Sequence, residues 1–229
     1  MPFLPWNQID TVLLDMDGTL IDLHFDNVFW LDHLPAKIAE KSGKPIDVCR
    51  DELYAHYEKV VGTIQWYCLD YWKAQLGLDL IAAKREVDHL ISMRDDTIPF
   101  LDALKQTGRR VVLVTNAHPD ALSLKLEHTA LDKHIDTLIS THEFGVSKEF
   151  QSLWQQVHSR LEFDPARTLF VDDSIPILHA AKKFGIAHLL CVANPDSQKP
   201  LREINDFPAV KDYRDLTADI LANPRHENP

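Results

Sequence analysis

Three short apolar runs along the chain stop abruptly on polar residues: Thr11-Val12-Leu13-Leu14-Asp15, Val111-Val112-Leu113-Val114-Thr115 and Thr168-Leu169-Phe170-Val171-Asp172. Each is too short for a helix and rich in β-branched or large apolar side chains, so each predicts a strand buried on both faces. Two weaker runs, at 136–141 and 188–192, have the same style. Helical periodicity fills the gaps. One helix is predicted to start at Pro119 and run through Leu122, Leu126 and Leu131. A second runs from Lys148 through Phe150, Leu153, Trp154, Val157 and Leu161, and a third over 175–184 with Gly185 as its stop.

Buried strands alternating with helices predict a parallel sheet joined by right-handed crossovers. In such sheets the reactive groups collect at the carboxyl ends of the strands, where Asp15, Thr115 and Asp172 fall. The segment 23–93 interrupts the alternation. It carries helical stretches at 28–38, 47–61, 65–76 and 83–92, punctuated by Gly43, Pro45, Gly62 and Gly77, and almost no strand signal. The expected architecture is therefore α/β: a Rossmann-like parallel sheet sandwiched by helices, built from 1–22 and 94–229, with an all-helical insertion over 23–93. The polar, proline-bearing end at 223–229 is expected to fray.

Composition narrows the function. Hydrophobic residues make up 45% of the 229 positions and charged residues 26%, the balance of a globular domain. The net charge of −11 argues against polymeric nucleic acid or anionic membrane as partners, though not against a small anion bound at a locally positive site. No apolar run reaches the length of a membrane span. Three scattered cysteines (Cys49, Cys68, Cys191) without ligand spacing, and no basic-then-apolar leader, point to a reducing, cytoplasmic setting.

The candidate chemistry begins with Asp15-Met16-Asp17-Gly18-Thr19. Alternation along a strand puts Asp15 and Asp17 on the same face, and Gly18 lets the backbone turn sharply. Two carboxylates about 4 Å apart repel by roughly 1–4 kcal/mol at effective dielectrics of 80 to 20. Asp172 and Asp173 at a neighbouring strand end add to that repulsion. A divalent cation is the natural compensation, and all-oxygen ligands favour Mg2+. Paired aspartates also end strands and cap turns, but a second pair at the matching end of another buried strand weighs against that plain role.

Taken together, these segments resemble the ordered motifs of haloacid-dehalogenase-superfamily phosphatases. Asp15 to Thr19 is similar to their first motif, Thr115-Asn116 to the second, Lys148 to the third and Asp172-Asp173 to the fourth. The resemblance implies a nucleophilic Asp15, Asp17 as general acid and base, and phosphate contacts from Thr115, Asn116 and Lys148. It also implies Mg2+ held by Asp15, the Asp17 backbone carbonyl and Asp172, with Asp173 acting through water or orienting Lys148. Glu149 departs from the commoner proline after this lysine. Arg94 has two readings, a phosphate contact or a partner for Asp95 or Asp96 at a hinge. His118 reads equally as a helix start and a substrate contact.

An insertion between the first two motifs resembles a cap, which implies a small substrate. Trp66, Tyr67, Tyr71 and Trp72 share one helical stretch and suit either cap core or stacking on a flat base. A narrower resemblance, to bacterial GMP/IMP 5′-nucleotidases, rests on Lys148 to Trp154, Asn194-Pro195-Asp196-Ser197 and Asp212-Tyr213-Arg214-Asp215-Leu216. It implies hydrolysis of purine nucleoside 5′-monophosphates. A sugar-phosphate phosphatase or phosphomutase would use the same four motifs. A non-enzymatic phospho-receiver would share the aspartates, threonine and lysine, but would lack Asp17 and the insertion.

Overall fold

The computed structural model describes residues 4–225. Six strands, β1 (Thr11–Leu14), β2 (Arg110–Thr115), β3 (Thr137–Ser140), β4 (Thr168–Asp172), β5 (His188–Val192) and β6 (Ala209–Val210), form one sheet in the order β3-β2-β1-β4-β5-β6. Every neighbouring pair is parallel. The five expected strands are present, and the two-residue β6 is an addition too short to leave a pattern in the sequence.

Side-chain alternation divides the sheet between two cores. Val12, Leu14, Val111, Leu113, Leu169 and Val171 face one, with Phe100, Leu104, Leu124, Leu216 and Ile220 from the helices on that side. Leu13, Val112, Val114 and Phe170 face the other, with Leu153, Trp154, Val157, Leu178 and Ala181. Burial on both faces is why these strands read as continuous apolar runs.

The insertion after β1 carries six α-helices: α1 (His24–Val28), α2 (Leu34–Ser42), α3 (Ile46–Val60), α4 (Ile64–Tyr67), α5 (Leu69–Leu76) and α6 (Leu80–Arg85). A π-helical turn, Phe29–His33, joins α1 to α2. The predicted helix over 65–76 is broken at Cys68, whose φ of −86° and ψ of 110° are extended. The one predicted over 83–92 instead ends at Arg85 and gives way to a 3-10 turn, Asp88–Leu90. These helices have their own core around fully buried Trp72, with Phe29, Leu34, Leu53 and Leu69. The insertion's two ends lie side by side: Ile21 bridges Met93, and the Asp22 N–H donates to the Ser92 carbonyl at 2.9 Å.

The remaining helices are α7 (Thr97–Gln106), α8 (Pro119–Thr129), α9 (Gln151–Leu161), α10 (Ile175–Phe184) and α11 (Arg214–Ala222). Helix α9 starts three residues later than the periodicity suggested, and Phe150 is exposed rather than packed. Of the end expected to fray, 226–229 lie outside the described residues. Asn223 and Arg225 are held: the Asn223 carbonyl accepts from Arg109, and the Arg225 N–H donates to the Thr107 carbonyl at 2.9 Å.

Candidate active site

The central position of β1 between β2 and β4 brings Asp15, Thr115 and Asp172 to one edge of the sheet. A cavity of about 140 Å³ opens there, lined among others by Asp15, Asp17, Thr115, Asn116, Lys148, Asp172 and Asp173, with Tyr67 reaching in from α4. Gly18 makes the turn after β1 with φ of +78°. A Cβ there would sit 2.9 Å from both the Asp173 Cγ and the Pro195 Cβ, so only glycine fits.

Lys148 is the charge centre. Its ammonium is 1% exposed and donates to Asp15 Oδ1 and, at 2.7 Å, to Asp172 Oδ2. Burial opposes a lone ammonium, but these two carboxylates overcome that and raise its pKa, so Lys148 stays charged. The second oxygen of Asp15, Oδ2, accepts a 3.4 Å hydrogen bond from the Thr19 hydroxyl. Burial pushes the Asp15 carboxyl up to about 6, with Lys148 pulling down and Asp172 pushing up. Asp173 is driven well up by burial and by Asp172 and Asp15. One oxygen each from Asp15, Asp172 and Asp173 lies within 4.8 Å of the others. The set is all oxygen, surplus in negative charge and convergent, and it fits a hard divalent cation.

Asp17, two residues along, has separate partners. Its Oδ1 accepts from Lys125 of α8 at 2.6 Å, and Lys125 donates at the same distance to Asp26 of α1. Asp26 in turn accepts from Lys84 of α6 at 3.0 Å. Burial raises the Asp17 carboxyl to about 6 against the pull of Lys125, with Asp26 and Asp15 adding to the rise. Asp26, despite its own burial, is held down at about 2 by its two lysines. Two carboxylates in one buried chain are thus pushed apart by environment, one protonatable and one not.

The second-motif residues build the wall opposite. The Thr115 hydroxyl accepts from the Ala117 N–H at 3.0 Å and is 1% exposed. Asn116 accepts from the Lys148 N–H and the Thr141 hydroxyl, both at 3.0 Å, which fixes the loop carrying the lysine. Its amide donates to Glu149 at 3.3 Å, and the Tyr67 hydroxyl donates to the other Glu149 oxygen at 2.9 Å. Glu149, the residue that departs from the commoner pattern, therefore joins the helical insertion to the sheet edge.

Arg94 does not line this cavity. It donates to both Asp96 oxygens at 3.1 Å, to the Asn194 carbonyl at 2.7 Å and to the Lys211 carbonyl at 2.9 Å, where the insertion returns to the sheet. Asp173 contacts Arg202 at 3.7 Å and does not touch Lys148 within hydrogen-bond range. His118 caps α8, accepting at Nδ1 from the Asp120 N–H at 3.3 Å. Trp72 and Tyr71 belong to the insertion's aromatic core, but Trp66 and Trp30, stacked at 6.0 Å, face a smaller cavity with Asp17, Lys84 and Lys125.

Lys125, Asp26, Lys84 and Glu149 were not singled out for this site from the sequence. Lys125 lies within α8 with no motif around it, and Asp26 and Lys84 meet only in three dimensions. The stretches around Asn194 and Tyr213, which carry no chemistry, have a mechanical role. The Leu23 N–H donates to the Pro195 carbonyl at 2.8 Å, and the Ser197 N–H to Asp22 at 3.1 Å. Tyr213 stacks on Phe100 at 4.4 Å and donates to the Thr19 carbonyl at 3.0 Å, buttressing the turn behind Asp15.

Comparison with known proteins agrees with this geometry. The family model described as haloacid dehalogenase-like hydrolase matches residues 9–185. The chain is 47% identical over 218 residues to the GMP/IMP nucleotidase YrfG of Escherichia coli strain K12, covering 95% of this chain and 98% of that one. The same figures hold for YrfG of Shigella flexneri. Among solved structures, a HAD phosphatase from Thermococcus onnurineus superposes with a TM-score of 0.76 at 22% identity, covering 95% of this chain and all of that one, a likeness of fold. A family match over most of the chain, with the motif aspartates and lysine meeting at one strand edge, fixes the assignment: the chain belongs to the haloacid dehalogenase-like hydrolases.

Proposed function

We propose that the chain is a Mg2+-dependent phosphomonoesterase that hydrolyses purine nucleoside 5′-monophosphates through a phosphorylated Asp15. The observation that carries the chemistry is the division between Asp15, paired with Lys148, and Asp17, paired with Lys125 and raised to about 6. A nucleophile and a separate proton carrier two residues apart suit ester cleavage in two halves.

Asp15 attacks phosphorus in line, forming an acyl phosphate as the ester oxygen leaves with the proton from Asp17. Asp17, now a carboxylate, takes a proton from water, which attacks the same phosphorus and releases inorganic phosphate and the Asp15 carboxylate. Lys148 neutralises charge on the nucleophile and on the phosphoryl oxygens, and Thr115 and Asn116 orient those oxygens. Asp15, Asp172 and the Asp17 backbone carbonyl would hold Mg2+, with Asp173 behind them, and the ion would supply charge neutralisation at the phosphate.

The substrate reading rests on the 47% identity to proteins named GMP/IMP nucleotidases. Trp66 and Trp30 beside Asp17 offer apolar faces for a flat base. Neither the 140 Å³ cavity nor the neighbouring one of about 60 Å³ reaches the roughly 300 Å³ of an ordinary ligand pocket, so a nucleotide requires the insertion to act as a cap and swing open. The test is phosphate release with Mg2+ across a panel of nucleotides and sugar phosphates. GMP and IMP should lead; sugar phosphates far above them would overturn the substrate, and an isomerised product would favour a mutase.

A further inference from the structure

We propose that Cys68, His118 and His142 form a second metal site, for a borderline divalent cation of the zinc class, separate from the carboxylate cluster. One ligand atom of each lies within 4.8 Å of the other two. Cys68 comes from the helical insertion, at the break between α4 and α5; His118 stands at the start of α8, and His142 in the 3-10 turn after β3. The two imidazoles meet edge to face with centroids 5.0 Å apart. A thiolate with two imidazoles selects zinc, cobalt or copper over magnesium, the reverse of the preference of Asp15, Asp172 and Asp173.

Local structure accounts for part of this trio only. Cys68 Sγ accepts from the Tyr71 N–H at 3.4 Å, a cap for the start of α5. His142 has no such role: its Nε2 is fully buried and has no hydrogen-bond partner among the described residues. Burial and the neighbouring His118 hold the ring neutral at physiological pH, leaving a lone pair for a cation.

Two carboxylates flank His118. Asp70, exposed on α5, has Oδ2 3.5 Å from His118 Nε2. Asp70 stands outside the group of three ligand atoms that converge, so a water would take the fourth position. On the far side of the ring, Asp120 Oδ2 lies 3.7 Å from His118 Nδ1. Metal at Nε2 would move the ring proton to Nδ1, which then gives up the Asp120 N–H and turns to the Asp120 carboxylate, the usual kind of orienting partner of a ligating histidine. Binding releases the Cys68 thiol proton to solvent. The ion would join the insertion to the sheet edge, three residues beyond Thr115.

The test uses the full chain stripped with a chelator, refilled with saturating Mg2+ and titrated with Co2+. One cobalt per chain should bind with the intense absorption of a tetrahedral site and a thiolate-to-cobalt charge-transfer band, and Zn2+ should displace it. Cys68→Ser keeps an acceptor for Tyr71 and should lose the charge-transfer band with unchanged far-ultraviolet circular dichroism. His142→Gln should weaken cobalt binding by roughly 10-fold or more, while Cys49→Ser should bind as the parent does. Absence of the thiolate band, its survival in Cys68→Ser, or displacement of the cobalt by Mg2+ would overturn the site. The readout is metal binding, so it stands or falls independently of turnover and substrate.

Discussion

Asp17 is held by Lys125, a lysine that Asp15 does not touch, and this separation has measurable consequences. Lys125 lowers the Asp17 pKa against burial, so Lys125→Met removes a downward pull and raises it. The limb of the pH–kcat/KM profile that belongs to Asp17 should move to higher pH; a limb that stays in place would mean that Lys125 serves structure alone. The same change leaves Asp26 and Asp17 with one shared cation fewer in a buried chain. Denaturant unfolding should show a loss of about 3–5 kcal/mol. Gly18 offers a second residue-scale check. Its left-handed backbone and the 2.9 Å approaches of Asp173 and Pro195 leave no place for a methyl group. Gly18→Ala should cost at least about 1–2 kcal/mol by the same measurement and impair turnover by displacing Asp173.

Among the elements, the helical insertion is fastened at its base by backbone contacts and by Arg94. All of that guanidinium's hydrogen bonds go to Asp96, Asn194 and Lys211, so Arg94→Ala should lower the melting temperature while leaving KM within about twofold. A large rise in KM with unchanged stability would restore the phosphate-contact reading. The strands were legible because burial on both faces writes uninterrupted apolar runs, and α10 because Gly185 marks its end. The break at Cys68 was not legible. Trp66 to Leu76 keeps helical spacing across it, and the Trp72 indole N–H donates back across the break to the Trp66 carbonyl at 2.9 Å. Within the site, Asp15, Thr115, Lys148 and Asp172 announced themselves by falling at the ends of apolar runs or just before a helix. Lys125, Asp26 and Lys84 had no such punctuation, since charges spaced along helices look solvated until the fold buries them.

For the molecule as a whole, the aspartate clusters link stability to pH and to metal. Burial raises the Asp15 and Asp17 carboxyls from 3.8 to about 6. Their contribution to stability is therefore full below about pH 4 and lost as pH rises through about 6. Asp26, lowered to about 2, contributes above pH 4 and fails only in stronger acid. Mg2+ binds the ionised forms and should restore what ionisation removes. At saturation, about 100 times Kd, it should stabilise by roughly 2.7 kcal/mol and raise Tm by roughly 5–10 °C near pH 7.5, with much less effect near pH 4.5. A Tm shift independent of pH would place the ion away from these carboxylates.

If Asp15 carries the phosphoryl group, acid-quenched turnover should trap it there. The protein is mixed with GMP and Mg2+, stopped in acid within the first turnover, digested, and its peptides are weighed by mass spectrometry. One added phosphoryl group is expected on the peptide containing Asp15, labile to hydroxylamine, and none in Asp15→Asn, which should keep its fold and lose turnover. Phosphate release by Asp15→Asn at the parent rate, or a phosphoryl group on another residue, would contradict it.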